Sequence, residues 1–283
     1  MEQRESNAVF GAQPSAPLAT APLGAADDLF LDLPIALVPI PSLGKVYSQE
    51  GLKDVSELAI RVMTVQDEDI LRNTTLIKKG TVISELLQKL IMTKVNVREL
   101  LAGDRNALLV AARIASYGSE LVQKIKCPSC AVEQEWIVKL DDLHERPLQL
   151  SQVEQIAPFT NQFSFTTPRG LKIVFKFLTG GEEEQILSAA EMKRKAGLAS
   201  EDYVFSRIFH SVISINGHTD RAKINNFIRN MPASESLAFR KHLDSHEPEM
   251  DMTAPFACKH CDHTSKEVVA QGHEFFWPST RQR

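Results

Sequence analysis

The chain has 283 residues, 43% hydrophobic and 24% charged, and a formal charge of −4 from 32 Lys and Arg against 36 Asp and Glu. That composition is ordinary for one large or two modest domains with their own core, and the balance of charge argues against binding driven by nucleic-acid phosphate, which needs a basic face. The most apolar stretch, Leu29–Pro41, is interrupted by Asp32, Pro34 and Pro39, so no transmembrane helix is expected. The first residues lack the charged-then-apolar order of a secretory signal. With four Cys in a chain of this size and a cytosolic setting, a disulfide scaffold is not expected either.

Residues 1–28 read as an arm, flexible or ordered on a partner: Ala, Pro, Ser and Gly supply 14 of the first 26 residues, too little apolar area to offset the entropy of ordering. Residues 29–54 form a Pro-rich extended segment, because Pro34, Pro39 and Pro41 among apolar residues oppose a helix. It is expected to lie across a surface, with a tight turn at Pro41-Ser42-Leu43-Gly44-Lys45. Leu58, Ile60 and Val62 alternate as a strand. Thr64, with Asp67 three residues later, is a capping signature that starts a helix through Ile70 and Leu71. Gly80-Thr81 separates two elements, the second carrying Val82, Leu86, Leu87, Leu90 and Ile91 at helical spacing. A further helix begins at Asp104 and stops at Gly118. Cys127 and Cys130 then precede a strand through Trp136 and Val138.

After a linker, 144–160, a hairpin is expected from Phe163 and Phe165 to Ile173, Phe175 and Phe177, turning at Pro168-Arg169-Gly170. Thr179 with Glu182 opens another helix. Val204, Ile208, Phe209, Val212 and Ile213 suggest one more, and Ser234 is the expected N-cap of a helix carrying Leu237, Phe239 and Leu243. Cys258 and Cys261 precede a strand at Val268 and Val269. Phe275-Phe276-Trp277 lie in an aromatic tail, 271–283.

The order of elements therefore occurs twice: strand, Thr-x-x-acid helix start, helices, CxxC, strand. Thr64-x-x-Asp67 with Ile70-Leu71 matches Thr179-x-x-Glu182 with Ile186-Leu187, allowing one extra residue. The offset from Cys130 to Ile137-Val138 equals that from Cys261 to Val268-Val269. The expected fold class is α+β, with two related halves, 55–143 and 161–270, arising by internal duplication and each ending in a CxxC knuckle.

The four Cys form two such pairs, Cys127/Cys130 and Cys258/Cys261. Cys at i and i+3 on a tight turn can set two sulfurs at about 2.3 Å from one zinc ion, and two turns complete a closed tetrahedral site. A compact zinc ribbon separates its pairs by roughly 15–20 residues, but here 127 residues intervene, so a metal ion would clasp the two halves together. Structural zinc is the first expectation, and an iron–sulfur cluster on the same four Cys is the alternative. Redox pairs, free thiols and disulfides are also open. His260 or His263 could replace one thiolate.

Other candidates carry less. His242 and His246 have an i, i+4 spacing used by metal sites, but lack the Glu of a zinc protease, and read as surface groups at a helix end. The acidic runs at 67–69 and 182–184 are explained by capping and the helix dipole. No phosphate-loop, dinucleotide, zincin or nucleophile-elbow motif occurs, so no enzymatic activity is expected. The aromatic tail either packs on the core or anchors a partner.

The ordered set Pro41-Ser42-Leu43-Gly44-Lys45-Val46-Tyr47, Arg61-Val62-Met63-Thr64, Gly103-Asp104-Arg105-Asn106, Arg113-Ile114-Ala115-Ser116-Tyr117-Gly118, the two CxxC pairs and Phe275-Phe276-Trp277-Pro278 resembles the baseplate hub or hub-assembly chaperone family of T-even-type contractile-tailed bacteriophages, over about residues 38–280. The resemblance implies a tail-morphogenesis protein without catalysis, in the host cytoplasm during assembly and then either in the virion tail baseplate or, as a transient assembly chaperone, absent from the virion. Its partners would be other tail proteins, in several copies of a symmetric assembly, with no small-molecule substrate and no membrane. The expected partner contacts are Leu37, Val38, Ile40, Tyr47, Phe275, Phe276 and Trp277. A zinc-ribbon regulator bound to nucleic acid is the rival reading, and a metal-dependent or redox enzyme a third.

Overall fold

The structure, a computed structural model, describes residues 33–197, 203–271 and 273–276. The arm and Trp277 lie outside these residues. The described chain opens with β1 (Ile35–Pro39), antiparallel to β2 (Glu57–Arg61), with Leu37 opposite Ala59. The connection between them turns through Leu43 and Gly44, at φ 52° and 67°. A Cβ on Gly44 would sit 2.3 Å from the Val55 nitrogen, so the turn has room for glycine alone.

The described part of the segment, residues 33–54, does not lie across the surface as its prolines suggest. Val38, Ile40, Val46, Tyr47 and Leu52 are buried. The chain is extended over β1, but every second side chain there points inward, onto the helix α4 that follows.

Five helical segments come next. Helix α1 (Val65–Leu71) is capped at Thr64, whose N–H and O–H both donate to the Asp67 carboxylate. Helix α2 (Thr74–Lys79) is capped by Asn73 and ends on Gly80 in the left-handed region. Helix α3 (Val82–Leu90) buries Val82, Ile83, Leu86, Leu87 and Leu90 along one stripe. A 3-10 turn, Val97–Glu99, leads into α4 (Ala102–Tyr117). Helix α4 runs through the middle of the core, lying against β1, β2, α3 and the C-terminal 3-10 turn, His273–Phe276.

Strands β3 (Glu120–Lys126) and β4 (Glu133–Lys139) form a hairpin. Residues 144–160, expected as a linker, carry β5 (Glu145–Arg146) and β6 (Glu154–Gln155). Strand β6 joins β7 (Phe163–Thr166), β8 (Lys172–Phe175) and β9 (Val212–Ile215) in an antiparallel sheet of order β6-β7-β8-β9. Helices α5 (Gly180–Lys195) and α6 (Tyr203–Ser211) lie between β8 and β9 in the chain, and α7 (Arg221–Arg229) and α8 (Ala233–His246) follow. Strand β10 (Glu249–Met250) pairs with β5, and β11 (Thr253–Ala257) with β12 (Thr264–Val268).

Three local expectations are corrected. Val212 and Ile213 leave the helix and enter β9, where β-branched residues pack better than in a helix. Pro232, not Ser234, precedes α8, because proline suits a helix start. His242 is no surface group: its ring stacks on Phe165 at 4.4 Å, and burial, then His246, pushes its pKa down to about 4.

One hydrophobic core runs through the whole fold, from Val38 to Phe276. Its two parts meet where α4 and α5 begin. Ala102 N–H donates to Leu178 O and Gly180 N–H to Leu100 O. Ser84 bonds the Glu184 carboxylate, with Arg98 and Arg105 each 3.5 Å from it.

Candidate metal centre

Each CxxC pair sits at the closed end of a hairpin. At the first, Cys127 N–H donates to Val132 O at 3.0 Å and Ala131 N–H returns to Cys127 O at 2.9 Å, with Ala131 at φ 59°. At the second, Cys258 N–H donates to His263 O, also at 3.0 Å. The two closures have the same five-residue span, 127 to 132 and 258 to 263.

The β11–β12 hairpin lies on the β3–β4 hairpin, held by side chains that grip its backbone. Trp136 donates its indole N–H to Pro255 O at 3.0 Å and packs edge-on against Phe256. Gln134 donates to Ala257 O at 3.1 Å and accepts from Lys259 N–H at 2.8 Å. Gln123 does the same at the other end: it donates to Ala270 O and accepts from Ala270 N–H. Trp136 and Gln134 point inward because β4 alternates, with Gln134, Trp136 and Val138 buried and the intervening residues exposed.

This docking brings the four sulfurs to within 4.8 Å of one another. Cys127 Sγ lies 3.8 Å from Cys261 Sγ, and Cys130 Sγ lies 3.7 Å from Cys258 Sγ. Four sulfurs bound tetrahedrally at about 2.3 Å would be about 3.8 Å apart along each edge. Both close contacts thus join residues of different hairpins at the spacing that a shared ion requires. Among the described residues no histidine joins the cluster, so neither His260 nor His263 is needed as a ligand. The backbone N–H groups of Cys130 and then Ser129 lower the Cys127 pKa to about 6, against the opposing effect of burial. Against the backbone N–H groups of Val132 and His263, burial and the neighbouring sulfurs push the Cys130 and Cys261 thiols up, the latter to about 12.

The residues expected to meet partners are placed differently. Val38, Ile40, Tyr47, Phe275 and Phe276 are buried, each 7% exposed or less. They are corrected to core residues: their apolar surface is covered by the chain itself. Phe275 is held there by Arg113, which is 1% exposed and donates to Phe275 O, Gly118 O and Glu120 O. Leu37 is 67% exposed, and Ile35 beside it on the same face is 59% exposed.

Residue-by-residue reading missed one buried polar group. Asp104 is fully buried. Its carboxylate accepts from Ser42 N–H at 2.8 Å and from the Tyr47 hydroxyl, which itself accepts from Leu101 N–H at 2.8 Å. Its signals are a polar residue on the inward face of a helix and a tyrosine in an apolar run. Burial raises the Asp104 pKa to about 6, against the hydrogen bonds of Ser42 and Tyr47 that lower it. Burial, then the Asp104 charge, raises Glu145 to about 7.

A carboxyl whose folded pKa is raised takes up a proton on folding. Its contribution is most favourable below its unfolded pKa and is lost as pH rises towards the folded value. For Asp104, with an ordinary pKa of 3.8 and a folded value of about 6, the loss is on the order of 3 kcal/mol. Chemical denaturation of wild type and Asp104→Asn between pH 4 and 7 checks this. The difference in unfolding free energy between them is expected to move in favour of the variant by that order as pH rises. A constant difference would contradict it.

Among the residues that carry the family resemblance, Ser42, Tyr47 and Asp104 form one buried group, and Arg113 ties the C-terminal turn to α4. No helix among the described residues is long and apolar enough to cross a membrane. No curated protein and no solved structure matches the chain. The model of a family described as T4 bacteriophage base plate protein matches residues 40–277, spanning both hairpins, the buried Asp104 group and the four cysteines. The chain therefore belongs to the T4-type bacteriophage base plate protein family.

Proposed function

We propose that this protein is a non-enzymatic structural component of the hub region of a contractile-tail baseplate, with a structural zinc ion on Cys127, Cys130, Cys258 and Cys261. The observation that carries the metal is the sulfur spacing: two pairs from hairpins far apart in sequence stand at the edge length of a four-thiolate zinc site. An iron–sulfur cluster uses the same ligand type, and elemental analysis with a visible absorption spectrum separates the two. When bound, zinc would contribute a rigid, closed cross-link and no reactive position. The chain's own residues position the ligands and exclude water around Cys127.

The two halves, 55–143 and 161–270, are read as an internal duplication. Two parallels support this: the capping boxes at Thr64 and Thr179, and the equal closures at Cys127 and Cys258.

The proposed contact with neighbouring tail proteins is the outer edge of β1. Val62 N–H donates to Pro34 O and Ile40 N–H to Ser56 O. By the alternation of an antiparallel ladder, Ala36 and Val38 then face β2, while the backbone groups of Ile35 and Leu37 face outward. The same two residues expose their apolar side chains. Such an edge can accept an extended segment of another protein. The protein would assemble in the host cytoplasm, in several copies, and remain in the virion tail.

Quantitative mass spectrometry of gradient-purified particles of the parent phage tests this reading. Peptides at a fixed ratio to known tail proteins are expected, and Leu37→Asp is expected to reduce that ratio at least several-fold while the purified variant keeps its fold. Absence of the wild-type protein from particles, with abundance in the infected lysate, would instead make it a transient assembly chaperone.

A further inference from the structure

We infer that Gln134 is the positioning residue of the four-sulfur centre, setting the second CxxC turn over the first before any ion binds. The inference rests on the metal reading above. Gln134 stands two residues beyond Val132, whose carbonyl closes the turn that holds Cys127 and Cys130. Its side chain is 8% exposed and reaches across to the other hairpin. There the amide donates to Ala257 O and accepts from Lys259 N–H. Ala257 precedes Cys258 and Lys259 follows it, so one amide holds the backbone on both sides of a ligand. Lys259 also lies between Cys258 and Cys261, and the next N–H, that of His260, points at Cys258 Sγ at 3.3 Å. Both amide groups are used, so the side chain has one orientation in which it satisfies the two backbone atoms.

The consequence is energetic. Ligands on two separate hairpins must be brought together before an ion can bind all four, and that ordering subtracts from the affinity. Gln134 supplies it through the fold. Outer-shell groups that orient ligands typically change metal affinity about 10–100-fold when removed. Gln123 provides the internal control. It makes the same pair of bonds, to Ala270, but at the far end of the hairpins from the sulfurs. A residue that merely holds the hairpins together would act on the metal through either glutamine. A positioning residue acts through Gln134 alone.

The test is titration of the full, reduced, metal-free chain with Co(II), followed by its thiolate charge-transfer and d–d absorption, with competition by Zn(II) and a chelator. Gln134→Leu is expected to weaken Co(II) and Zn(II) binding by about 10–100-fold and to speed chelator-driven release. Gln134→Glu, which still accepts from Lys259 N–H but cannot donate to Ala257 O, is expected to fall between that variant and wild type, and serves if the leucine variant does not fold. Gln123→Leu is expected to bind with wild-type affinity while lowering the metal-free thermal midpoint as much as Gln134→Leu does. Equal affinity in wild type and both Gln134 variants would overturn the inference and leave the metal reading intact, as would an equal loss in Gln123→Leu. A wild-type protein that gives no thiolate–cobalt band would overturn both.

Discussion

Stripping the proposed zinc ion with a strong chelator at neutral pH is expected to lower the thermal midpoint of the reduced protein by roughly 8–16 °C. The size follows from linkage: an ion present at a thousand times its dissociation constant stabilises the folded state by about 4 kcal/mol, and for a domain of 150–250 residues each kcal/mol moves the midpoint by about 2–4 °C. Complete unfolding, the usual fate of a metal-free zinc finger, is not expected. The core extends from Val38 to Phe276, with Cys127 one member among many apolar residues, and Gln123, Gln134 and Trp136 still hold the hairpins together. Cys127→Ser is expected to reproduce most of the loss in the presence of zinc, because Cys127 is the most buried ligand, 2% exposed. Differential scanning calorimetry with parallel elemental analysis makes the measurement. An unchanged midpoint in protein shown to have lost its metal would mean that the sulfurs meet for another reason.

The four-cysteine cluster was legible in the sequence because the CxxC pattern is local. A CxxC pair declares its geometry within four residues, and two pairs in a chain without other cysteines leave few arrangements. What the sequence does not disclose is how 127 intervening residues bring the pairs together. That depends on Gln123, Gln134 and Trp136, whose bonds run from side chain to backbone. The acceptors at Pro255 O, Ala257 O and Ala270 O carry no residue signature, since every residue has a carbonyl. Helix starts were readable for the reason the cysteines were: Thr64 with Asp67, and Thr179 with Glu182, satisfy their own backbone within one turn.

Five of the expected partner contacts, Val38, Ile40, Tyr47, Phe275 and Phe276, are buried, because exposure is not a local property. An apolar residue near a terminus or among prolines looks stranded until the element that covers it is known. For Phe275 that element is α4, about 160 residues earlier in the chain, through Arg113 at a separation of 162. For Ile40 and Tyr47 it is again α4, which supplies Asp104 to the Tyr47 hydroxyl. Strand β9 was missed because Val212 and Ile213 continue the apolar spacing of α6 without a break. The run Val-Ile-Ser-Ile becomes a strand because β8 offers it an open edge, with Ile173 opposite Ile215.

Replacing Gly103 with alanine separates local propensity from packing by the sign of its effect. Gly103 lies in the first turn of α4 at an ordinary helical φ. By propensity alone, Gly→Ala inside a helix stabilises by about 0.5–1 kcal/mol. The fold dictates the reverse. A Cβ on Gly103 would stand 2.1 Å from Pro248 O and 2.7 Å from the Glu249 Cα. Both are backbone atoms and neither can swing aside. Moving them would shift the β10 strand, which pairs with β5 and carries Glu249, bonded to Arg146. It would also disturb the Glu247 carbonyl that Arg146 holds with two donors, and the adjoining buried Asp104. Gly103→Ala is therefore expected to destabilise by roughly 3 kcal/mol or more, at the upper end of overpacking costs. Gly118→Ala is the contrast. Gly118 sits at φ 80° and ψ 172°, a conformation essentially confined to glycine, with nothing within 4 Å of its Cβ position, so it is expected to lose about 1–3 kcal/mol from backbone strain alone. Urea denaturation of both variants measures the pair. A Gly103→Ala protein as stable as wild type would mean that α4 and β10 do not pack backbone to backbone, and that the two parts of the core are joined in some other way.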